Sequence, residues 1–291
     1  MDEKDWTARQ AAHQRRVETW VEPHRQRARA GQPHPVQDFL FSYYSLRPSE
    51  LRRWHPGWGV ALDGPAATGH LVFKGYHQTL TGVTVPAEHA AARRPLVSSI
   101  HRLLTATASR PAQLGCFGLH EWAMVYRADS QGVRHAGWPL RLGGAGTDRV
   151  VENHRIACSH FDAFRFFTEP ARAFNVLRPQ HDDRPDFEQP GCLHAGMDLY
   201  KHAGRLLPLV PSELVLDCFE LATEIRTLDM RASPYDLTAL GYEPVAIETA
   251  TGKQAYAAAQ RTFAERAAPL RQRLIEVCAQ VLEESLGAVV S

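Results

Sequence analysis

The chain has 291 residues, 44% of them hydrophobic, which is enough to build a substantial core in one large domain or two modest ones. No stretch approaches the roughly 18 apolar residues that span a bilayer, and the opening MDEKDWTARQAAHQRR lacks the apolar run of a secretory signal, which points to a cytoplasmic protein with no membrane partner. A formal net charge of +1 gives no support to a partner held through many phosphate contacts, although Arg and His concentrate in residues 1–55 and the densest acidic clusters in 180–248.

In chain order, residues 3–22 contain neither Pro nor Gly and read as an exposed helix that Pro23 ends or kinks, with GQPHP stopping any continuation. FLFSYYS is too short to assign by periodicity, and Pro48-Ser49-Glu50-Leu51 looks like a helix start with Pro in its first turn, so this region is read as helical. HLVFKGYHQTLTGVTV, residues 70–85, alternates and carries β-branched side chains, as a hairpin does; residues 87–108 read as a helix interrupted at Pro95. EWAMVYR, WPLRL and RIACSHFDAFRFF are candidate strands, and GGAGTD is a loop. Helices follow over 194–207, 212–230 and about 252–286, with a kink expected at Pro269. The expected fold is therefore mainly α with a smaller β component (α+β): an N-terminal helical extension, residues 1–33, and a single compact globular domain, residues 34–291.

The five cysteines, Cys116, Cys158, Cys192, Cys218 and Cys278, are widely spaced, odd in number and without a CxxC pair, so they read as reduced thiols. Fifteen histidines stand out, but in a sequence this rich in Arg and Ala their number alone is no metal signature. Dinucleotide, P-loop, GxSxG and HExxH motifs are all absent.

Three groups carry candidate chemistry. On one helix His194, Asp198 and Lys201 stand at i, i+4 and i+7, which places them on one face. On the next, Leu214, Cys218, Leu221, Ile225 and Leu228 form an apolar stripe, and Glu213, Asp217, Glu220 and Glu224 an acidic stripe beside it. So many like charges call for compensation by Lys201, Arg205, Arg226, Arg231 or a metal ion; a solvated face laced with salt bridges and a functional carboxylate site are both open. ENHRIACSHFDAFRFF, read as a strand, sets His160 and Asp162 on one face as either a satisfied buried pair or a pocket floor. In LGCFGLHEWAMVY, His120 and Glu121 would point apart on a strand, so a structural role is expected for His120.

The segments HPVQDFLFSYYSLRPSELRRWHPGWG, CSHFDAFRFFTEPAR, QPGCLHAGMDLYK, PSELVLDCFELATEIRTLDMRASPYDL and GYEPVAIET resemble a bacterial, actinobacterial-type family usually named 3-methyladenine DNA glycosylase, over about residues 34–275. No helix-hairpin-helix motif accompanies them. The resemblance implies a hydrolase in DNA repair that flips out an alkylated purine and cleaves its N-glycosidic bond, with DNA as partner and no cofactor. By residue type, Asp198 or Asp162 is then the carboxylate and Lys201 a Schiff-base alternative. Tyr43, Tyr44, Trp54 and Trp58 would stack on bases, and Arg47, Arg52 and Arg53 would meet phosphates. A competing expectation is a metal-dependent enzyme using iron or manganese held by residues from the set His120, His160, Asp162, His194, Asp198, Glu220 and Glu224. A third is a non-enzymatic nucleic-acid or partner-binding module.

Overall fold

A computed structural model describes residues 1–128 and 137–287, with side chains through Glu284. Helices dominate it: α1 (Glu3–Arg29), α2 (Phe39–Tyr43), α3 (Pro48–Leu51), α4 (Ala87–Ala108), α5 (Leu119–Ala123), α6 (Gly143–Glu152), α7 (Phe161–Phe164), α8 (Arg184–Phe187), α9 (Leu193–Arg205), α10 (Ser212–Ala232) and α11 (Ala250–Gly287). Among the described residues the sheet is a single antiparallel pair, β1 (His77–Thr79) with β2 (Gly82–Thr84), in the register His77 to Thr84 and Thr79 to Gly82. The fold is mainly α with a small β component. No described helix is long and apolar enough to cross a membrane.

The chain forms two compact units. Unit 1 comprises residues 1–105, 199–220 and 269–291; unit 2 comprises 106–198 and 221–268.

Unit 1 is built on α1, which corrects the expectation of an exposed helix. Trp6, His13, Val17 and Val21 recur at spacings of seven and four, one helical face, and all are buried. Each buried Val contributes about 1.5–3 kcal/mol. Pro23 neither ends nor splits the helix, which runs on to Arg29, and Asp2 caps its start by accepting from the Asp5 N–H at 2.9 Å. Trp6 stacks on Trp54 at 6.4 Å with His70 edge-on to both. The polar face of α1 meets the acidic stripe of α10: Arg9 binds Glu213, and Arg16 binds Asp217 and Glu220, while Arg273 also reaches Asp217. Arg9, Arg16 and Arg273 thus compensate this part of the stripe. The hairpin is shorter than residues 70–85 suggest, because Pro65–Val72 takes up a 3-10 helix. Pro95 sits inside α4 without ending it.

In unit 2, Leu221, Ile225 and Leu228 of α10 are buried as their stripe predicts, and Trp122, Tyr126 and Ile156 join them in the core. The three expected strands are not strands. EWAMVYR is α5 and turns, WPLRL contributes one bridge at Leu140, and RIACSHFDAFRFF contributes one bridge at Ile156 before α7 begins. The reason for the last is Asn175: its side-chain amide accepts from the Cys158 N–H at 2.7 Å and donates to the Cys158 carbonyl at 3.0 Å, taking up the groups a ladder would use. GGAGTD, expected as a loop, is the first turn and a half of α6.

Candidate metal centre

Unit 2 gathers histidines and carboxylates from four separate stretches of the chain. His120 lies on α5, which is entered through two consecutive left-handed residues, Phe117 at φ +50° and Gly118 at φ +71°. A non-glycine residue in that region costs about 1–2 kcal/mol, so the surrounding packing holds α5 where it is. His194 begins α9, Asp229 is in the last turns of α10, and His160 immediately precedes α7.

His120 Nε2 donates to Asp229 Oδ1 at 2.9 Å, and both side chains are closed to solvent. The other Asp229 oxygen accepts from Arg226 Nη1 at 3.0 Å, and the same Nη1 donates to Glu121 Oε1 at 3.0 Å. His120 and Glu121 therefore enter one network, contrary to the strand reading, because neighbours on a helix diverge by only about 100°. Two carboxylates share one guanidinium, which leaves a buried negative charge to be met by imidazolium or by a metal ion. Burial alone would lower the His120 pKa, but the charge and hydrogen bond of Asp229 outweigh it and hold the pKa well above the ordinary histidine value. For Asp229, burial pushes upward and His120 with Arg226 prevails, holding the carboxyl well below its usual range.

His194 crosses the His120 ring at 4.5 Å and 78°, and stacks on His160 at 5.2 Å and 27°. Burial, followed by the neighbouring His120, lowers its pKa well below the ordinary value, so it is neutral and keeps a lone pair to offer. Donor atoms of His120, His194 and Asp229 all lie within 4.8 Å of one another. Ligands on a four-coordinate ion at 2.0–2.1 Å sit about 3.4 Å apart, so the hydrogen-bonded His120–Asp229 pair, at 2.9 Å, has to open to admit an ion between the three donors. His120 and His194 line a cavity of about 10 Å³, the space of one water, together with Cys116, Cys158, Cys192, Gln189, Tyr256 and Gln260.

No family model, curated protein or solved structure matches the chain. The site's own geometry is what bears on function.

Of the residues expected to bind metal, His120, His160, His194 and Asp198 come together. Both nitrogens of His160 are buried without a hydrogen bond, although Nε2 stands 3.3 Å from Asp198 Oδ2 and 3.6 Å from Glu188 Oε1. Arg184 binds Glu188 at 2.6 Å and Asp198 at 2.9 Å, and Asp162 lies at its edge, 3.9 Å from Nη1 and 3.3 Å from Arg165. Glu224 pairs with Arg266 at 2.6 Å, and Glu220 belongs to the Arg16 contact of unit 1.

The residues expected to meet DNA lie in unit 1. Trp54 is fully buried, donating to Glu213 at 2.9 Å, and Tyr44 is buried edge-on to Tyr200. Trp58 donates to Glu284 at 2.6 Å and Tyr43 stacks on Phe39 at 5.0 Å. Arg52 pairs with Glu18 at 3.0 Å and Arg53 lies over Phe73. The turn between the tryptophans is set by Gly57, at φ +95°, where a Cβ would come within 2.8 Å of Pro211. Lys201 is on α9, within unit 1.

Asp229, Arg226, Arg184 and Glu188 complete the site and were not among the expected site residues. A sequence signal existed for Asp229: it falls four residues after Ile225, on the apolar stripe, where a carboxylate needs a partner.

Proposed function

We propose that the protein is a metal-dependent enzyme whose centre is His120, His194 and Asp229. The observation that carries this reading is the convergence of two imidazoles and one carboxylate from three helices, within 4.8 Å, next to a water-sized cavity. Two nitrogen donors and one oxygen donor suit a manganese, iron or zinc ion. A zinc ion held there would acidify a bound water to a pKa near 7, which would support hydrolysis.

The protein's own groups have definite tasks in this reading. Arg226 occupies Asp229 Oδ2, so that Oδ1 stays turned toward His120 and the ion position. Cys116 Sγ, 3.6 Å from His120 Nδ1, fixes the ring so that Nε2 points the same way. His120 would have to give up its Nε2 proton to serve as a ligand. His160, stacked on His194, stands with Nε2 3.3 Å from Asp198 and 3.6 Å from Glu188 beside the centre.

One observation favours a second reading. Cys116 Sγ, His120 Nδ1, His120 Nε2 and Asp229 Oδ1 are aligned as nucleophile, base and orienting acid, the order used by thiol enzymes. The glycosylase activity draws on the resemblance alone: Asp198 and Asp162 are engaged with Arg184, and Trp54 and Tyr44 pack into the interior of unit 1.

Cobalt(II) titration of metal-free protein separates the first two. The metal reading predicts d–d absorption at one equivalent, abolished by His194→Ala and retained in Cys116→Ser. Stoichiometric alkylation of Cys116 by iodoacetamide at neutral pH, dependent on His120 and accompanied by no cobalt spectrum, would establish the thiol reading instead.

A further inference from the structure

Unit 1 holds a second feature, independent of the metal reading. Arg53, Lys74, Arg93 and Arg205 line one concavity of about 230 Å³, whose only carboxylate among the described residues is Glu50. An adjoining hollow of about 180 Å³ shares Glu50 and Arg205 with it and adds Lys201. In the larger concavity four cations face one anion. Glu50 is moreover committed to its own helix, because Oε2 accepts from the Arg47 N–H at 2.9 Å at the start of α3.

None of the four cations forms an ion pair among the described residues, although Arg9, Arg16 and Arg52 of the same unit each have an acidic partner. Arg93 donates through Nη2 to the Arg205 carbonyl, which brings its positive charge toward a second one, and its Nε is buried with no partner at all. Arg53 rests its guanidinium over the Phe73 ring at 5.3 Å, a contact that leaves its N–H groups unused. His55, on the same wall, adds no charge at neutral pH: burial, with His70 and Arg53 as neighbours, lowers its pKa to about 3. Unpaired cations held close together in a hollow repel one another, and a multiply charged anion relieves that repulsion while taking several charge-assisted hydrogen bonds at once.

We infer that this concavity binds the phosphate group of a small phosphomonoester, with Arg53, Lys74, Arg93 and Arg205 as its ligands. A phosphate dianion offers three terminal oxygens, which suits convergent guanidinium forks better than a single carboxylate does. The space is adequate for a phosphate and a sugar-sized group and is below the range of larger ligands.

Calorimetry on the full chain tests this with four probes: AMP, adenosine, inorganic phosphate, and a single-stranded oligonucleotide without terminal phosphates. AMP and inorganic phosphate should bind saturably at one site, and adenosine should not. Lys74 and Arg205 are exposed, so the double variant Lys74→Gln/Arg205→Gln leaves the core intact; it should weaken AMP binding at least about tenfold at an unchanged melting temperature. Absence of saturable AMP and phosphate binding at millimolar concentration would overturn the inference, as would equal binding of adenosine. Binding of the oligonucleotide without binding of AMP would assign the cations to a nucleic-acid backbone and overturn it too. Neither result bears on the metal content of unit 2, so this inference and the metal reading fail separately.

Discussion

His120 and Asp229, 109 residues apart in the chain, meet at 2.9 Å inside unit 2, and Arg226 holds the far oxygen of the same carboxylate at 3.0 Å. The pair ties α5 to the end of α10. Nothing in the local sequence of either element requires the contact, so it is a property of the tertiary fold.

Asp229→Ala leaves Arg226 and His120 without their shared anion in a site closed to water. Breaking a buried charged network from one side costs about 3–5 kcal/mol, and Asp229→Asn, which keeps the shape and a hydrogen-bond acceptor, costs less. Urea unfolding of the two variants checks the order. Equal stability of Asp229→Ala and the native protein would show that the network contributes nothing.

His194→Ala behaves differently. The ring is neutral and makes stacking contacts, so its loss lowers stability by about 1–2 kcal/mol while removing a metal donor. Thermal melting and metal analysis of the same sample should separate the two effects: a small fall in Tm and a complete loss of bound ion.

Glu224→Gln tests whether the acidic stripe is merely a salt-bridged face. Glu224 and Arg266 are both close to half exposed, and pairs of that kind contribute about 0–1 kcal/mol. The variant should unfold within about 0.5 kcal/mol of the native protein and bind metal unchanged. Loss of metal on this substitution would move the site to the stripe.

Asp38 gives the chain an acid-sensitive joint between α1 and α2. Burial raises its pKa, but hydrogen bonds from Arg27 and His24 and from the His34 N–H, the last at 2.8 Å, prevail and depress it below the usual carboxylate value. A depressed pKa means stability that is fully present above the unfolded-state pKa of about 3.9 and is lost as pH falls through the folded-state value. Asp38→Asn should therefore cost about 1–3 kcal/mol at pH 7, with the gap from the native protein closing below about pH 4. A gap that stays constant down to pH 2 would contradict this origin.

Strong periodicity made the late helices legible. The apolar stripe from Leu214 to Leu228 is buried as expected, and α9, α10 and α11 begin and end within about two residues of the sequence reading. Neither Pro23 nor Pro95 ends its helix, because each lies in a helix long enough to tolerate one missing N–H. The β-branched and aromatic residues between 121 and 167 suggested strands, but their backbone groups are taken by short helices and by the Asn175 amide, which periodicity does not reveal. His120, His160, His194 and Asp198 were recognisable by type, and the i, i+4 spacing placed His194 and Asp198 on one face. Their assembly with Asp229 was not legible, since it depends on where α5 docks along α10.

The central claim is tested most directly by elemental analysis of protein purified without chelator, native and His194→Ala in parallel. The account predicts about one manganese, iron or zinc ion per native chain and none in the variant. A native protein that holds no metal, and takes up none of the three when they are supplied to the folded chain, would contradict it.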